Sequence, residues 1–168
     1  MQFSQRIHAL VQAITANDGE ASAAQFTNDG IYHDPVCGPW EGRDAIRELV
    51  EKHFIAAKNL IWDIHNPVSS KDVGYASYTC SWDSVATGGV QVYRPIIQGV
   101  CIVKLSSDGL FQHYSEAVDL GPSYVMSQFA PARIEKLHKR RAEQLSTCDA
   151  ASGHHPYLPW QENHPESE

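Results

Sequence analysis

Positive charge is scarce in this chain: 13 Lys+Arg stand against 20 Asp+Glu, a formal net charge of -7. Affinity for phosphates requires an excess of clustered cations, so DNA, RNA and anionic membrane surfaces are excluded as partners. Long apolar runs are missing too. The amino-terminal "MQFSQRIHALVQAITAND" alternates polar and apolar residues, with neither the unbroken core of a signal peptide nor the roughly 18 apolar residues of a membrane span. The expectation is a soluble, cytoplasmic protein. Cys37, Cys80, Cys101 and Cys148 form no CxxC pair, which excludes a zinc ribbon and a redox motif and leaves buried or inert thiols. GxSxG, a phosphate-binding glycine loop, a dinucleotide fingerprint and HExxH are all absent. His33, His53, His65 and His113 include no i, i+4 pair, so the reading has no metal and no cofactor.

What is present is the pattern of one α+β domain. At 168 residues the chain is long enough to bury roughly 70% of its unfolded surface, sufficient for a core and a pocket. Phe3, Ile7, Leu10, Val11 and Ile14 recur at helical spacing and stop at "TANDG". "QFTNDGIYHDP" reads as a short extended piece ending at Pro35, because a residue before proline is pushed out of the helical region. Ile46, Leu49, Val50, His53, Phe54 and Ala57 then predict a helix over about 43 to 57, with Gly42 at its start.

From Leu60 the period becomes two. Strands are predicted from Leu60 to the "NPVSS" stretch, over 74 to 85, over 90 to 105 after a turn at 87 to 89, and in "LFQHYSEAVDL". Pro95 and Gly99 inside the third of these imply an edge, a bulge or a bend. Helices followed by an antiparallel meander make a curved sheet covered on one face, with a hollow beneath the helices. A main domain over 1–122, a helical extension over 123–146 with basic residues Lys136, Lys139, Arg140 and Arg141, and a Pro/His-rich tail over 147–168 follow. The tail is expected to be disordered or to cap a pocket.

Four positions carry candidate chemistry. Tyr32 and Asp34 are two apart on an extended segment and point the same way, while Asp83 and Glu116 stand as isolated carboxylates in strands. A carboxyl buried without a cation has a raised pKa, the means by which enzymes make general acids and bases. Alternation places either Ser81 and Asp83 or Cys80 and Trp82 inward; Glu116 shares its face with Tyr114 and Val118. Asp34 before a proline also suits a turn former bonding nearby amides.

The stretch "F…DGIYHDP…GPWEGRDAIRELV" resembles the opening of the nuclear-transport-factor-like, cone-shaped domains, among them SnoaL-like polyketide cyclases, ketosteroid isomerase, scytalone dehydratase and limonene epoxide hydrolase. The resemblance spans about residues 4 to 120. It implies an antiparallel cone with an internal pocket, a homodimer and a hydrophobic small-molecule substrate. Limonene epoxide hydrolase is the most similar at this stretch. On that resemblance Tyr32 and Asp34 fall on its water-holding positions, Asp34 where that family has asparagine, Asp83 on the second acid of its Arg-x-Asp element and Glu116 on its water-activating acid. Ser81 stands where that family has arginine, so its relay does not carry over intact, and Arg94 is a candidate replacement. Trp62, Tyr78, Trp82, Tyr93, Arg94 and His113 are the candidate substrate-binding residues. The implied activity is an acid/base isomerase or cyclase acting on a polyketide or terpenoid-like molecule. An epoxide hydrolase, a dehydratase or a non-catalytic binding module are the alternatives.

Overall fold

The computed structural model describes residues 2–85, 92–148 and 154. The turn expected at 87 to 89 and, apart from Cys148 and His154, the tail beyond Thr147 lie outside the described residues. Residues 1–128 form one compact unit and 129–168 a second.

The first unit opens with α1 (Phe3–Thr15), whose Phe3, Ile7, Leu10 and Ile14 all face the core. Complete burial of side chains such as Ile7 and Leu10 stabilises by about 2 kcal/mol each relative to exposure. A one-turn helix, α2 (Gly19–Ala23), follows, with the Asp18 carboxylate accepting the Ala21 amide as its N-cap.

β1 (Phe26–Asp34) pairs antiparallel with β2 (Gly38–Glu41) and parallel with β7 (Phe111–Val118). Gly42 then leaves the strand at φ 82, a left-handed conformation that favours glycine, and its amide donates to the Gly30 carbonyl. α3 (Arg43–Glu48) starts there, and the Arg43 guanidinium donates from Nε and Nη2 to the Phe26 carbonyl at 2.9 and 2.6 Å. The glycine-arginine pair of "EGRDAI" thus fastens helix to strand.

The single helix predicted over 43 to 57 is three pieces: α3, a π-helical turn over Leu49–His53 and a 3-10 turn over Phe54–Ala56. The changes of pitch keep Leu49 and Val50 in the core and put Phe54 and Ala57 against the hollow of the sheet.

β3 (Lys58–Ser70), β4 (Val73–Val85), β5 (Val92–Tyr93) and β6 (Ile96–Leu105) complete the sheet, whose order is β2-β1-β7-β6-β4-β3 with β5 alongside β4. β3 runs through "NPVSS" instead of ending there, because β3 is an edge strand and Pro67 sits in the irregularity between His65 and Val68, with Asn66 at φ 49. The predicted strand over 90 to 105 divides at Arg94 and Pro95 into β5 and β6. Gly99 lies in regular register between Tyr78 and Val118, so it marks neither an edge nor a bulge. The curled sheet with helices over one face matches the expected α+β cone, except that it is not wholly antiparallel: β1 and β7 run parallel.

After β7 comes α4 (Gly121–Met126), still in the first unit. In the second unit α5 (Pro131–Thr147) buries none of its residues, and Arg133 lies over the Phe129 ring at 3.8 Å. The helical extension expected over 123–146 is therefore divided between the two units. No helix among the described residues is long and apolar enough to cross a membrane.

Candidate active site

Strand alternation decides which side chains meet. On β1 and β7 the inward set is Tyr32 and Asp34, Tyr114 and Glu116; His33 and His113 fall on the opposite face, their rings 6.3 Å apart. On β4, Tyr78, Cys80 and Trp82 point inward, and on β6 Ile97, Gly99 and Cys101 do. These strands line a half-open cavity of about 210 Å³. Its walls are apolar, with Phe54, Leu60, Trp62, Trp82, Ile97 and Leu120 as the main surfaces. Pro35, Val36 and Cys37 of the turn after β1 also line it.

Glu116 lies in this cavity and accepts hydrogen bonds from three phenols. Tyr78 Oη donates to Oε2 at 2.6 Å, Tyr114 Oη to Oε1 at 2.8 Å and Tyr32 Oη to Oε1 at 3.4 Å. Burial pushes the Glu116 carboxyl above its ordinary value near 4.5; the hydrogen bonds from Tyr78 and Tyr114 pull it back down, and the nearby charge of Asp34 adds to the rise. The phenols themselves are held protonated. Burial, and then the charge of Glu116, raise Tyr32, Tyr114 and Tyr78 well above 10. The cluster is therefore a carboxyl whose proton affinity is raised, ringed by three protonated phenols that donate to it.

Asp34 also lines the cavity, and its Oδ1 accepts the backbone amides of Val36 at 2.8 Å and Cys37 at 2.6 Å. The turn-forming and pocket-lining readings of this residue coincide. The carboxylate shapes the cavity's rim while facing the same space as Glu116.

Asp83 is a correction. Because Cys80 and Trp82 face the cavity, Ser81 and Asp83 face away, and the carboxylate instead accepts from Asn59 Nδ2 at 2.6 Å and Arg94 Nη1 at 2.7 Å. Those two partners, Asn59 first, lower its pKa. Arg94 Nη2 also donates to Ser81 Oγ at 3.1 Å, so the guanidinium from the neighbouring segment does reach the Ser81 and Asp83 pair, but outside the cavity. Of the six candidate binding residues, Trp62 and Trp82 line the cavity and Tyr78 reaches Glu116 from beside it. Tyr93, paired across from Ser84, Arg94 and His113 do not line it. His113 has its pKa lowered by partial burial and by His33 and Lys104.

Sequence reasoning left out Tyr114 as a donor, Cys80 as a wall and Phe54, Leu60 and Leu120 as apolar surfaces. Tyr114 had a signal: it precedes Glu116 by two residues, the spacing of Tyr32 and Asp34. Among the described residues no group of three or more His, Cys, Asp or Glu is arranged to hold a metal ion.

Solved structures share this architecture. The epoxide hydrolase/cyclase-like enzyme SalBIII, of pyran ring formation in the polyether salinomycin, is 15% identical with a TM-score of 0.60, over 71% of this chain and 92% of that one. A ketosteroid isomerase-like protein from Erwinia carotovora atroseptica is 20% identical with a TM-score of 0.55, over 69% and 92%. A candidate SnoaL-like polyketide cyclase from Shewanella denitrificans is 12% identical with a TM-score of 0.66, over 76% and 98%. At these identities the likeness is one of fold. No curated protein matches the sequence. The sequence does match the SnoaL-like domain over residues 7–114, which include Tyr32, Asp34, Tyr78 and Tyr114 and stop two short of Glu116. The chain belongs to the SnoaL-like domain family.

Proposed function

We propose that this protein is an acid/base enzyme, an isomerase or cyclase, that moves protons on a compact hydrophobic polyketide- or terpenoid-like molecule in natural-product biosynthesis. The observation that carries the reading is the Glu116 carboxyl, half-buried at the wall of an apolar cavity and held by three phenol donors. Apolar walls with a few convergent polar groups are what a small-molecule site requires, and about 210 Å³ suits a ligand smaller than a typical drug. Among the described residues the cavity is lined by apolar side chains with Tyr32, Asp34 and Glu116, which suits an uncharged ligand.

In an isomerisation, ionised Glu116 takes a proton from carbon beside a carbonyl. The C–H bond breaks, the O–H bond forms on the carboxyl and the electron pair passes to the carbonyl oxygen. Return of the proton to another carbon completes the shift. Tyr32 makes the longest of the three hydrogen bonds and lines the cavity, so its hydroxyl is the donor free to turn toward a substrate oxygen. Trp62 adds a buried indole N–H with no acceptor among the described residues, a second donor for such an oxygen. In the ring closure of a hydroxy-epoxide the same carboxylate takes the proton of the attacking hydroxyl, the new ring C–O bond forms as an epoxide C–O bond breaks, and the proton passes to the released epoxide oxygen.

Epoxide hydrolysis is the second reading, favoured by Tyr32 and Asp34 both lining the cavity near Glu116. Against it, Asp83 and Arg94 lie elsewhere. A panel of neutral ketones, enones and hydroxy-epoxides turned over in ¹⁸O-labelled water separates these. Rearranged or cyclised product without label supports the proposal, labelled diol supports the hydrolase, and ligand binding without turnover of any member supports a binding module. The proposal includes a homodimer through the outer face of the sheet, where Ile61, Val68, Tyr75, Ile96, Val100 and Ile102 are exposed side by side on β3, β4 and β6.

A further inference from the structure

Gly99 is in the middle of β6, flanked in register by Tyr78 of β4 and Val118 of β7. A glycine in a strand interior weakens the strand unless something needs the room. Its backbone is ordinary strand, because the positive-φ glycines among the described residues are Gly38, Gly42 and Gly109. Conformation does not explain it; space does. A Cβ at position 99 would lie 2.6 Å from the Tyr78 hydroxyl and 2.7 Å from its Cζ, with the Ala117 carbonyl oxygen at 3.0 Å. The Tyr78 ring is 2% exposed and packs against Trp62 with centroids 5.5 Å apart, so it cannot swing aside without leaving Glu116 Oε2, 2.6 Å from its hydroxyl.

We propose that Gly99 is a positioning residue, whose missing side chain is the seat that lets the Tyr78 hydroxyl reach and fix the Glu116 carboxyl. This deepens the reading of Glu116 as the proton-handling group and rests on it, though its test does not need turnover. Gly99 touches neither the carboxyl nor a ligand; it acts through Tyr78. The titratable groups facing Glu116 are Tyr32 and Asp34 from β1, Tyr78 and Cys80 from β4, Cys101 from β6 and Tyr114 from its own strand. Of these, Tyr78 supplies the two atoms nearest to a side chain at 99.

The test is the titration midpoint of Glu116, read by ¹³C carboxyl NMR in wild type, Gly99→Ala, Tyr78→Phe and the double variant. The Tyr78 hydrogen bond favours the ionised carboxylate, so its loss raises the midpoint. A rise of about one pH unit is expected in Tyr78→Phe and a comparable one in Gly99→Ala. The double variant should titrate no higher than either single one, because both remove the same bond. An unchanged midpoint in Gly99→Ala or in Tyr78→Phe, or two rises that add in the double variant, overturns the proposal. If Gly99→Ala does not fold, recovery of folding in Gly99→Ala combined with Tyr78→Leu, where both the hydroxyl and Cζ are gone, supports it. Failure of both to fold means that Gly99 relieves crowding at the Ala117 carbonyl instead, and the proposal falls. Loss of turnover in Glu116→Gln is a separate question, so a failure of the functional reading leaves this test intact.

Discussion

The rings of Tyr32 and Tyr114 stack with centroids 4.6 Å apart, and both hydroxyls address the same oxygen of Glu116, Oε1, while Tyr78 holds Oε2. Two strands paired in parallel register at Tyr32 and Tyr114 bring this about. The stack fixes the two phenols relative to each other and leaves the carboxyl little freedom.

The three phenols should differ in their hold on Glu116. Tyr78→Phe removes the shortest bond, Tyr114→Phe the next and Tyr32→Phe the longest. The carboxyl titration measured by NMR should move upward in that order, Tyr78→Phe most. Tyr32→Phe should instead cost turnover most relative to its effect on titration, because that hydroxyl lines the cavity.

Glu116 should also mark the pH dependence of stability. Its folded-state pKa is raised above the ordinary 4.5, so between these two values the native state holds a proton that the unfolded state has released. Its contribution is fully present below about pH 4.5 and is lost as pH rises through the folded value. Urea unfolding at a series of pH values should show wild type losing stability across that window relative to Glu116→Gln, which has no proton to lose there.

The Asp83 and Arg94 pair predicts the opposite of an active-site effect. Both residues lie outside the cavity in an exposed network with Asn59 and Ser81. Asp83→Asn and Arg94→Ala should leave kcat and its pH profile unchanged and lower the melting temperature only slightly. A large loss of kcat in either would return Asp83 to the chemistry.

Thiol chemistry offers a probe of the cavity. Cys37 and Cys148 are exposed, whereas burial pushes the Cys80 thiol up to about 12 and the Cys101 thiol up to about 11. A maleimide at pH 7.5 should label the first two quickly and the buried pair only on unfolding. A ligand in the cavity should protect Cys37, which lines it, and leave Cys148 reactive.

The curved, helix-covered sheet was legible in the sequence because its signals are local: the helical stripe of Phe3 to Ile14, the proline after "YHD" and the period of two from Leu60 onward; its closure into a cone was implied by the family resemblance. The "GRDAI" helix was legible at its start, where Gly42 and Arg43 have one conformation and one partner to find. Its end was not, since the apolar spacing of Leu49 to Ala57 reads the same in a π or a 3-10 turn as in an α-helix. The faces of the strands were harder still. Asp83 or Trp82 inward depends on which neighbours the strand meets, and Trp82 prevails by burying an apolar ring against the hollow while Asp83 finds Arg94 outside. Glu116 faces inward against its desolvation cost because Tyr32, Tyr78 and Tyr114 come to it from strands far apart in sequence. Gly99 looked like a bend for the same reason: the phenol that needs its space is 21 residues away and adjacent only across the sheet.

The central claim is that Glu116 exchanges protons with carbon or oxygen atoms of a ligand in the cavity. The most direct measurement is the exchange of protons beside the carbonyl of compact neutral cyclic ketones and enones in D₂O, followed by NMR with wild type and Glu116→Gln. Acceleration by wild type that disappears in Glu116→Gln, with the ketone still bound, is the result predicted. Equal exchange rates for the two proteins on a bound ketone would contradict it.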